Sequence, residues 1–313
     1  MQRVSPQHQP KGRTVVTIGS FDGVHRGHQA LLQAARGLAR ELSAAMVCIT
    51  FDPHPLAVLK GPIDGHLLTA TDAKLDYLSE YGAEWVQVLP FTAETARVSP
   101  LAFLERNVGG MLNAAGVVVG YNFTFGAAGA GTPDTIRQWA AAGNRQVRVV
   151  PPVRLADGTA VSSSLIRGMI RHARMEDARA ALGHPYAVQG KSVAGDGRGR
   201  QLGYPTANVI PATEQCMPPY GVYGGVLALA AGHCPAVANW GVRPTFDGER
   251  PVLEVHALNL PADTDLRGTP IRFEFHWHIR AERRFASVEQ LVQQITADVD
   301  TVRRRFASHP SAP

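Results

Sequence analysis

Short apolar runs alternate with helical patterns through the first half of the chain, and few folds accept that alternation. The runs are Val15 to Ile18, Ala45 to Phe51, Trp85 to Leu89, Gly116 to Val119 and Gln146 to Val150. They are rich in β-branched or aromatic residues and several are bounded by Gly or Pro, the texture of buried parallel strands. Between the first two, Leu31, Ala35, Leu38 and Leu42 recur at helical spacing, and Ser99-Pro100 and Thr132-Pro133 each put an N-cap residue before a proline at the first helical position. The alternation is a βαβ series and predicts a doubly wound parallel sheet.

After Gly183-His184-Pro185 the texture changes. Gly and Pro cluster from Gly190 to Gly203, and turn residues rather than long helices separate the next strand candidates, Val222 to Leu229, Ala236 to Asn239, Leu253 to Leu258 and Ile271 to Ile279. These predict a small β-barrel closed by a helix from about Ser287 to Phe306. The expected organisation is a loose tail at 1–13, a first domain at 14–183, a second at 184–308 and a short tail at 309–313.

The chain has 313 residues, 45% hydrophobic and 18% charged, with a formal charge of +5. This balance excludes general disorder and allows a sizeable core in each of two domains. A charge of +5 over this length is a weak field, so nucleic acid is not an expected partner, and Arg303-Arg304-Arg305 reads as the solvated end of the last helix. The longest apolar stretches, Ala44 to Phe51 and Gly224 to Gly232, fall short of the roughly 18 residues that span a bilayer. No apolar leader follows Arg3, Lys11 and Arg13, so a cytoplasmic location is expected. Cys48, Cys216 and Cys234 form no Cys-x-x-Cys pair and read as buried or idle thiols.

Gly19-Ser20-Phe21-Asp22-Gly23-Val24-His25-Arg26-Gly27-His28 follows the first strand and opens the first helix. Free N–H groups and the positive end of the helix dipole make such a place a seat for phosphate. His25 and His28 stand three apart beside it and could donate hydrogen bonds to a triphosphate as charge moves onto departing pyrophosphate. A metal reading of the two imidazoles lacks a third ligand of companion spacing. Thr50-Phe51-Asp52-Pro53-His54-Pro55 follows the second strand at the sheet edge where ligands of such folds bind. Gly120-Tyr121-Asn122-Phe123-Thr124-Phe125-Gly126 follows the fourth strand and brings an amide and two phenyl rings to the same rim. Ser162-Ser163-Ser164-Leu165-Ile166-Arg167 joins an N-cap candidate to a basic residue one turn into a helix, which is either plain capping or a second anion site.

In the second half, a glycine-rich loop, Gly195 to Gly203, leads into Tyr204-Pro205-Thr206-Ala207-Asn208. Such a loop could fold over phosphates, and a hydroxyl and an amide oxygen are hard ligands suited to Mg²⁺ that keeps several waters. Glu254 and His256 share one face of the candidate strand Leu253 to Leu258.

Taken together these segments resemble the prokaryotic bifunctional riboflavin kinase/FAD synthetase family. Phe21-Asp22-Gly23-Val24-His25 and Gly27-His28 are similar to its adenylyltransferase string. Pro205-Thr206-Ala207-Asn208, Tyr220-Gly221-Val222-Tyr223, Asn239-Trp240-Gly241-Val242-Arg243-Pro244-Thr245-Phe246 and Glu254-Val255-His256 follow in the order of its kinase module. The likeness runs from about Thr14 to Asp298.

The resemblance implies an enzyme that phosphorylates riboflavin to FMN in the barrel and adenylylates FMN to FAD in the sheet domain, using ATP with Mg²⁺. It implies that Gly19, Phe21, Asp22, His25, His28, Asn122, Ser163, Ser164 and Arg167 hold ATP for adenylylation, with His25 and His28 on its phosphates. Phe51, Pro53, His54, Pro55, Phe123 and Phe125 would seat FMN. In the kinase, Gly195, Gly203, Thr206 and Asn208 would hold ATP, with Thr206 and Asn208 on the metal, and Glu254 would take the proton from the 5′-hydroxyl of riboflavin. The implied partners are riboflavin, FMN and ATP, and a homo-oligomer is left open.

The chain departs from the family pattern at four places. Ser164 stands for a common threonine, Leu266-Arg267-Gly268 for Leu-Tyr-Gly, and Ala127-Ala128 for polar residues, while His66-Leu67-Leu68-Thr69 lacks an arginine before Leu-Thr. The rival readings are a transferase with one active module and a basic barrel that binds RNA, the latter marked by steep salt dependence.

Overall fold

The computed structural model describes residues 1–193, 199, 202–230, 232–245, 248–261, 264 and 266–308, with backbone alone at 243–245 and 248–250. The chain divides into two units, one of Met1–Ile63 with Ala70–Ser163, the other of Asp64–Thr69 with Ser164–Pro313.

In the first unit each expected run is a strand: β2 (Thr14–Ile18), β3 (Ala45–Asp52), β4 (Trp85–Pro90), β5 (Ala114–Gly120) and β6 (Gln146–Val150). A further strand, β1 (Gln2–Arg3), lies within the segment expected as a loose tail. It pairs with the edge of β4, where Gln2 and Val4 donate backbone hydrogen bonds of 2.8 Å to Glu84 and Val86. The expectation of a loose tail is corrected there, because these bonds satisfy an otherwise open strand edge.

The sheet runs β1-β4-β3-β2-β5-β6 with every pair parallel. Successive side chains point to opposite faces, and both faces are apolar. Val15, Met46 and Val118 meet Leu32 and Leu38 of α1 (Arg26–Glu41) and Leu75 and Leu78 of α3 (Thr71–Glu80). Val16, Val47 and Val117 meet Val108 of a π-helical turn, Leu104–Met111, and Ile136 and Trp139 of α5 (Pro133–Ala142). The turn continues α4 (Pro100–Phe103), and α2 (Pro55–Lys60) follows β3. The expected caps are present: Ser99 Oγ accepts from Ala102 N at 3.2 Å, and Thr132 forms a capping box with Thr135.

Helices α6 (Ser163–Arg171) and α7 (Met175–Leu182) precede a closed antiparallel barrel in the order β10-β11-β8-β7-β12-β9. Its strands are β7 (Tyr186–Val193), β8 (Ala207–Val209), β9 (Gly221–Leu229), β10 (Gly232–Thr245), β11 (Gly248–Ala257) and β12 (Pro270–Ala281). Tyr186, Val188, Leu227, Phe273 and Phe275 are fully or almost fully buried, and the Tyr186 hydroxyl donates to the Cys216 carbonyl. Gly190 permits closure, since a Cβ there would sit 2.7 Å from Val209 Cγ1 of β8. Outside the barrel α8 (Val288–Ser308) lays Val299 and Val302 on Val222 and Val237. Arg280 fixes it by three hydrogen bonds of 2.8 to 3.1 Å to buried Asp298.

Candidate active sites

The candidate phosphate seat lies where β2 ends and α1 begins. Gly19 N donates to Ile49 O at 3.1 Å, and Thr50 Oγ1 donates to Ser20 O at 3.2 Å, so the loop is tied to β3 from its first residues. Phe21 and Val24 are fully buried yet hold left-handed backbones, with φ of 52° and 37°. Such strain costs on the order of 1–3 kcal/mol per residue and survives where packing fixes it, commonly at functional sites. Asp22 is 3% exposed, and its carbonyl accepts from Ser163 Oγ at 2.9 Å. The segment expected as a second anion site thus begins by anchoring the first.

His25 caps α1: its Nδ1 accepts from His28 N at 3.4 Å, which leaves Nε2 to carry the proton of the neutral ring. The two imidazoles stack at 3.7 Å and 18°. Gly27 makes room for this, because a Cβ there would lie 3.0 Å from the His25 ring. His28 Nδ1 is buried and makes no hydrogen bond in the structure. The His28 imidazole is held well below its usual pKa, chiefly by burial and then by His25 and Lys74, so it is a neutral ring at neutral pH. Among the described residues, no group of three His, Cys, Asp or Glu is placed to hold a metal.

The loop after β3 stands next to this seat, since β2 and β3 are paired neighbours. Phe51 is half-buried with its ring at 84° to Phe91, and His54 Nδ1 accepts from Leu56 N at 3.2 Å, with Pro55 opening α2. Phe51 and Phe123 pack on the same hydrophobic cluster, on one face of the sheet. Phe123 and Phe125 stack at 5.4 Å and 11°, but Phe125 is 8% exposed and covers Gly131, so its ring supports Phe123 from within the core. Asn122 is exposed after β5. Ser164 and Arg167 belong to the second unit, where Arg167 donates to Ser164 Oγ at 3.1 Å and to His66 O at 3.5 Å.

Lys74 was missed by sequence reasoning. It is 4% exposed, and its Nζ donates to Phe51 O at 3.0 Å. Burial lowers its pKa, and Asp52, Asp22 and Cys48 oppose that. Nothing in the spacing of α3 marks a lysine turned inward toward a carbonyl 23 residues away.

In the barrel, β8 and β11 pair so that Asn208 is the register partner of Glu254. Directly opposed residues share a face with Cβ atoms roughly 5 Å apart. Asn208 is 6% exposed and Glu254 half-buried. His256 Nδ1 donates to Pro205 O at 2.9 Å, taking the ring as the Nδ1–H tautomer, and its edge meets the Tyr204 ring at 5.4 Å. The strand that bears the candidate base therefore also holds the segment that bears Thr206. Gly199 is the cradle above it: a Cβ there would strike the Tyr204 carbonyl and come within 3.4 Å of Thr206 Oγ1. A hydroxyl, a buried amide oxygen and close bare backbone fit Mg²⁺ with its phosphates. Gly203 has φ of 84°, which glycine alone adopts readily. Gly195 and Phe246 lie outside the described residues.

A parallel sheet with a helix N-terminus seat, followed by a barrel with a paired carboxylate and amide, defines a two-module nucleotide-dependent transferase. Residues 7–165 match the FAD synthetase family and residues 182–306 the riboflavin kinase family. The chain belongs to the bifunctional riboflavin kinase/FMN adenylyltransferase family. It is 33% identical to the Bacillus subtilis bifunctional riboflavin kinase/FMN adenylyltransferase, over 97% of this chain and 96% of that one. The Escherichia coli (strain K12) protein of the same description is 36% identical over 95% and 94%. A solved structure described as a macrolide-efflux protein from Streptococcus pneumoniae superposes with a TM-score of 0.85 at 31% identity, covering 96% of this chain and 98% of that one. Efflux is said of that protein. Here, no helix among the described residues is long and apolar enough to cross a membrane.

Proposed function

We propose that the barrel transfers the γ-phosphoryl group of ATP to the 5′-hydroxyl of riboflavin, giving FMN, and that the sheet unit joins FMN to the AMP portion of a second ATP, giving FAD and pyrophosphate. The observation that supports the reading is the opposition of Glu254 and Asn208 across β8 and β11, a carboxylate beside an amide whose oxygen is suited to a hard metal ion. Glu254 takes the hydroxyl proton as the ribityl oxygen attacks phosphorus. Thr206 and Asn208 are the residues that would hold Mg²⁺, which when bound neutralises charge on the phosphate oxygens.

In the sheet unit a phosphate oxygen of FMN attacks the α-phosphorus of ATP and the bond to pyrophosphate breaks. No protein nucleophile is needed. The neutral imidazole of His28 and the Nε2–H of His25 donate to phosphate oxygens that gain charge, next to the α1 N-terminus. The Phe51 to Pro55 loop and the Phe123 ring seat the flavin, and the sequence boundary between the functional modules falls near residue 183. The substrates are riboflavin, FMN and ATP, and the enzyme works in the cytoplasm.

The test is product analysis with riboflavin, ATP and Mg²⁺. FMN followed by FAD is expected. FMN alone would leave only the kinase active, and no flavin phosphate at all would sink the reading.

A further inference from the structure

A lysine at 4% exposure calls for explanation, because an ammonium leaves water only at a cost that a partner must offset. Lys74 Nζ reaches the Phe51 carbonyl at 3.0 Å, the last apolar residue before the bend at Asp52 and Pro53. One turn earlier on α3, Thr71 Oγ1 donates to Asp52 Oδ1 at 2.9 Å. Two side chains of one helix therefore grip consecutive residues where β3 runs into its loop. β3 is also the neighbour to which the seat is tied, through Gly19 N to Ile49 O and Thr50 Oγ1 to Ser20 O.

We propose that Lys74, together with Thr71, is a positioning residue for FMN adenylylation, fixing the Phe51 to Pro55 flavin loop beside the phosphate seat. The assignment rests on the reading of that loop and seat given above. A charged hydrogen bond to a carbonyl holds a loop more firmly than a neutral one, and correct placement of two reactants is the main requirement of a transfer without a nucleophile. The charge has a second effect. Lys74 and the adjacent His25 ring both bear on His28, and Asp22, Asp52 and Cys48 bear on Lys74. Lys74 thus helps to keep His28 neutral, able to donate without a fixed charge.

The experiment measures FAD formation from FMN and ATP, riboflavin phosphorylation, and the His28 titration by NMR, in the full chain. Lys74→Met is expected to raise the KM for FMN about tenfold with a smaller change in kcat. It should also move the His28 titration to higher pH and leave riboflavin phosphorylation intact. Lys74→Arg keeps the charge and should leave the titration in place. Thr71→Val removes the second grip alone and should raise the KM for FMN without moving the titration. A native KM for FMN in Lys74→Met overturns the proposal. If that variant does not fold, a native KM in Thr71→Val overturns it instead. His28→Ala separates the two levels: unchanged FAD output there sinks the seat itself, whereas loss there beside a native Lys74→Met sinks only the role of Lys74.

Discussion

Asn208 and Glu254 stand opposite each other in the antiparallel register of β8 and β11, so a buried amide and a half-buried carboxylate share one face of the barrel wall. That relation puts a carboxylate and an amide oxygen side by side on regular strands. Glu254→Gln keeps the shape and removes the carboxylate proposed as the base. Riboflavin phosphorylation should fall by about 10² to 10⁴ while FMN adenylylation continues, as chromatography of the flavin products reports. Survival of both activities would remove Glu254 from the chemistry.

His256 holds Pro205 through its Nδ1 and braces Tyr204 with its ring. His256→Phe keeps the packing and loses the hydrogen bond. The kinase should weaken by roughly three- to tenfold, most visibly in the KM for ATP, because the segment bearing Thr206 loses an anchor. Steady-state kinetics at fixed Mg²⁺ checks this.

Gly27 gives the His25 and His28 stack its room, since a Cβ would sit 3.0 Å from the His25 ring and the ring would have to give way. Gly27→Ala should displace that ring at a cost of about 1–3 kcal/mol and reduce FAD formation selectively. Riboflavin phosphorylation serves as the internal control.

His28 also predicts a pH dependence of stability. Its folded pKa lies well below the usual imidazole value, mainly through burial. Below about pH 6.5 the unfolded chain binds a proton that the folded one refuses, so stability falls as the pH drops from there toward the lowered folded value. Above that window the effect is fully relieved. The first unit should melt earlier at pH 5 than at pH 7, and His28→Asn should flatten the difference in a thermal scan.

The strands of the sheet were legible because buried parallel strands are continuous β-branched runs, and Val15 to Ile18 or Ala45 to Phe51 carry little else. The seat was legible because its Gly and His residues stand directly after such a run. By contrast β8 is three residues long, and in β7 the apolar start Tyr186-Ala187-Val188 gives way to Gln189-Gly190-Lys191, which reads equally as loop. Strand β1 is visible only through its partner Trp85, and Lys74 only through the Phe51 carbonyl. Each was hidden for the same physical reason: the group that satisfies it is distant in sequence and carries no residue-type signature.

Two independent sites on one chain is the claim on which the account stands, and complementation tests it most directly. With riboflavin, ATP and Mg²⁺, Glu254→Gln alone should yield almost no FMN or FAD, His28→Ala alone should stop at FMN, and the two variants mixed in one tube should restore FAD. Conversion of riboflavin to FAD by either variant alone, at the wild-type rate, would contradict it.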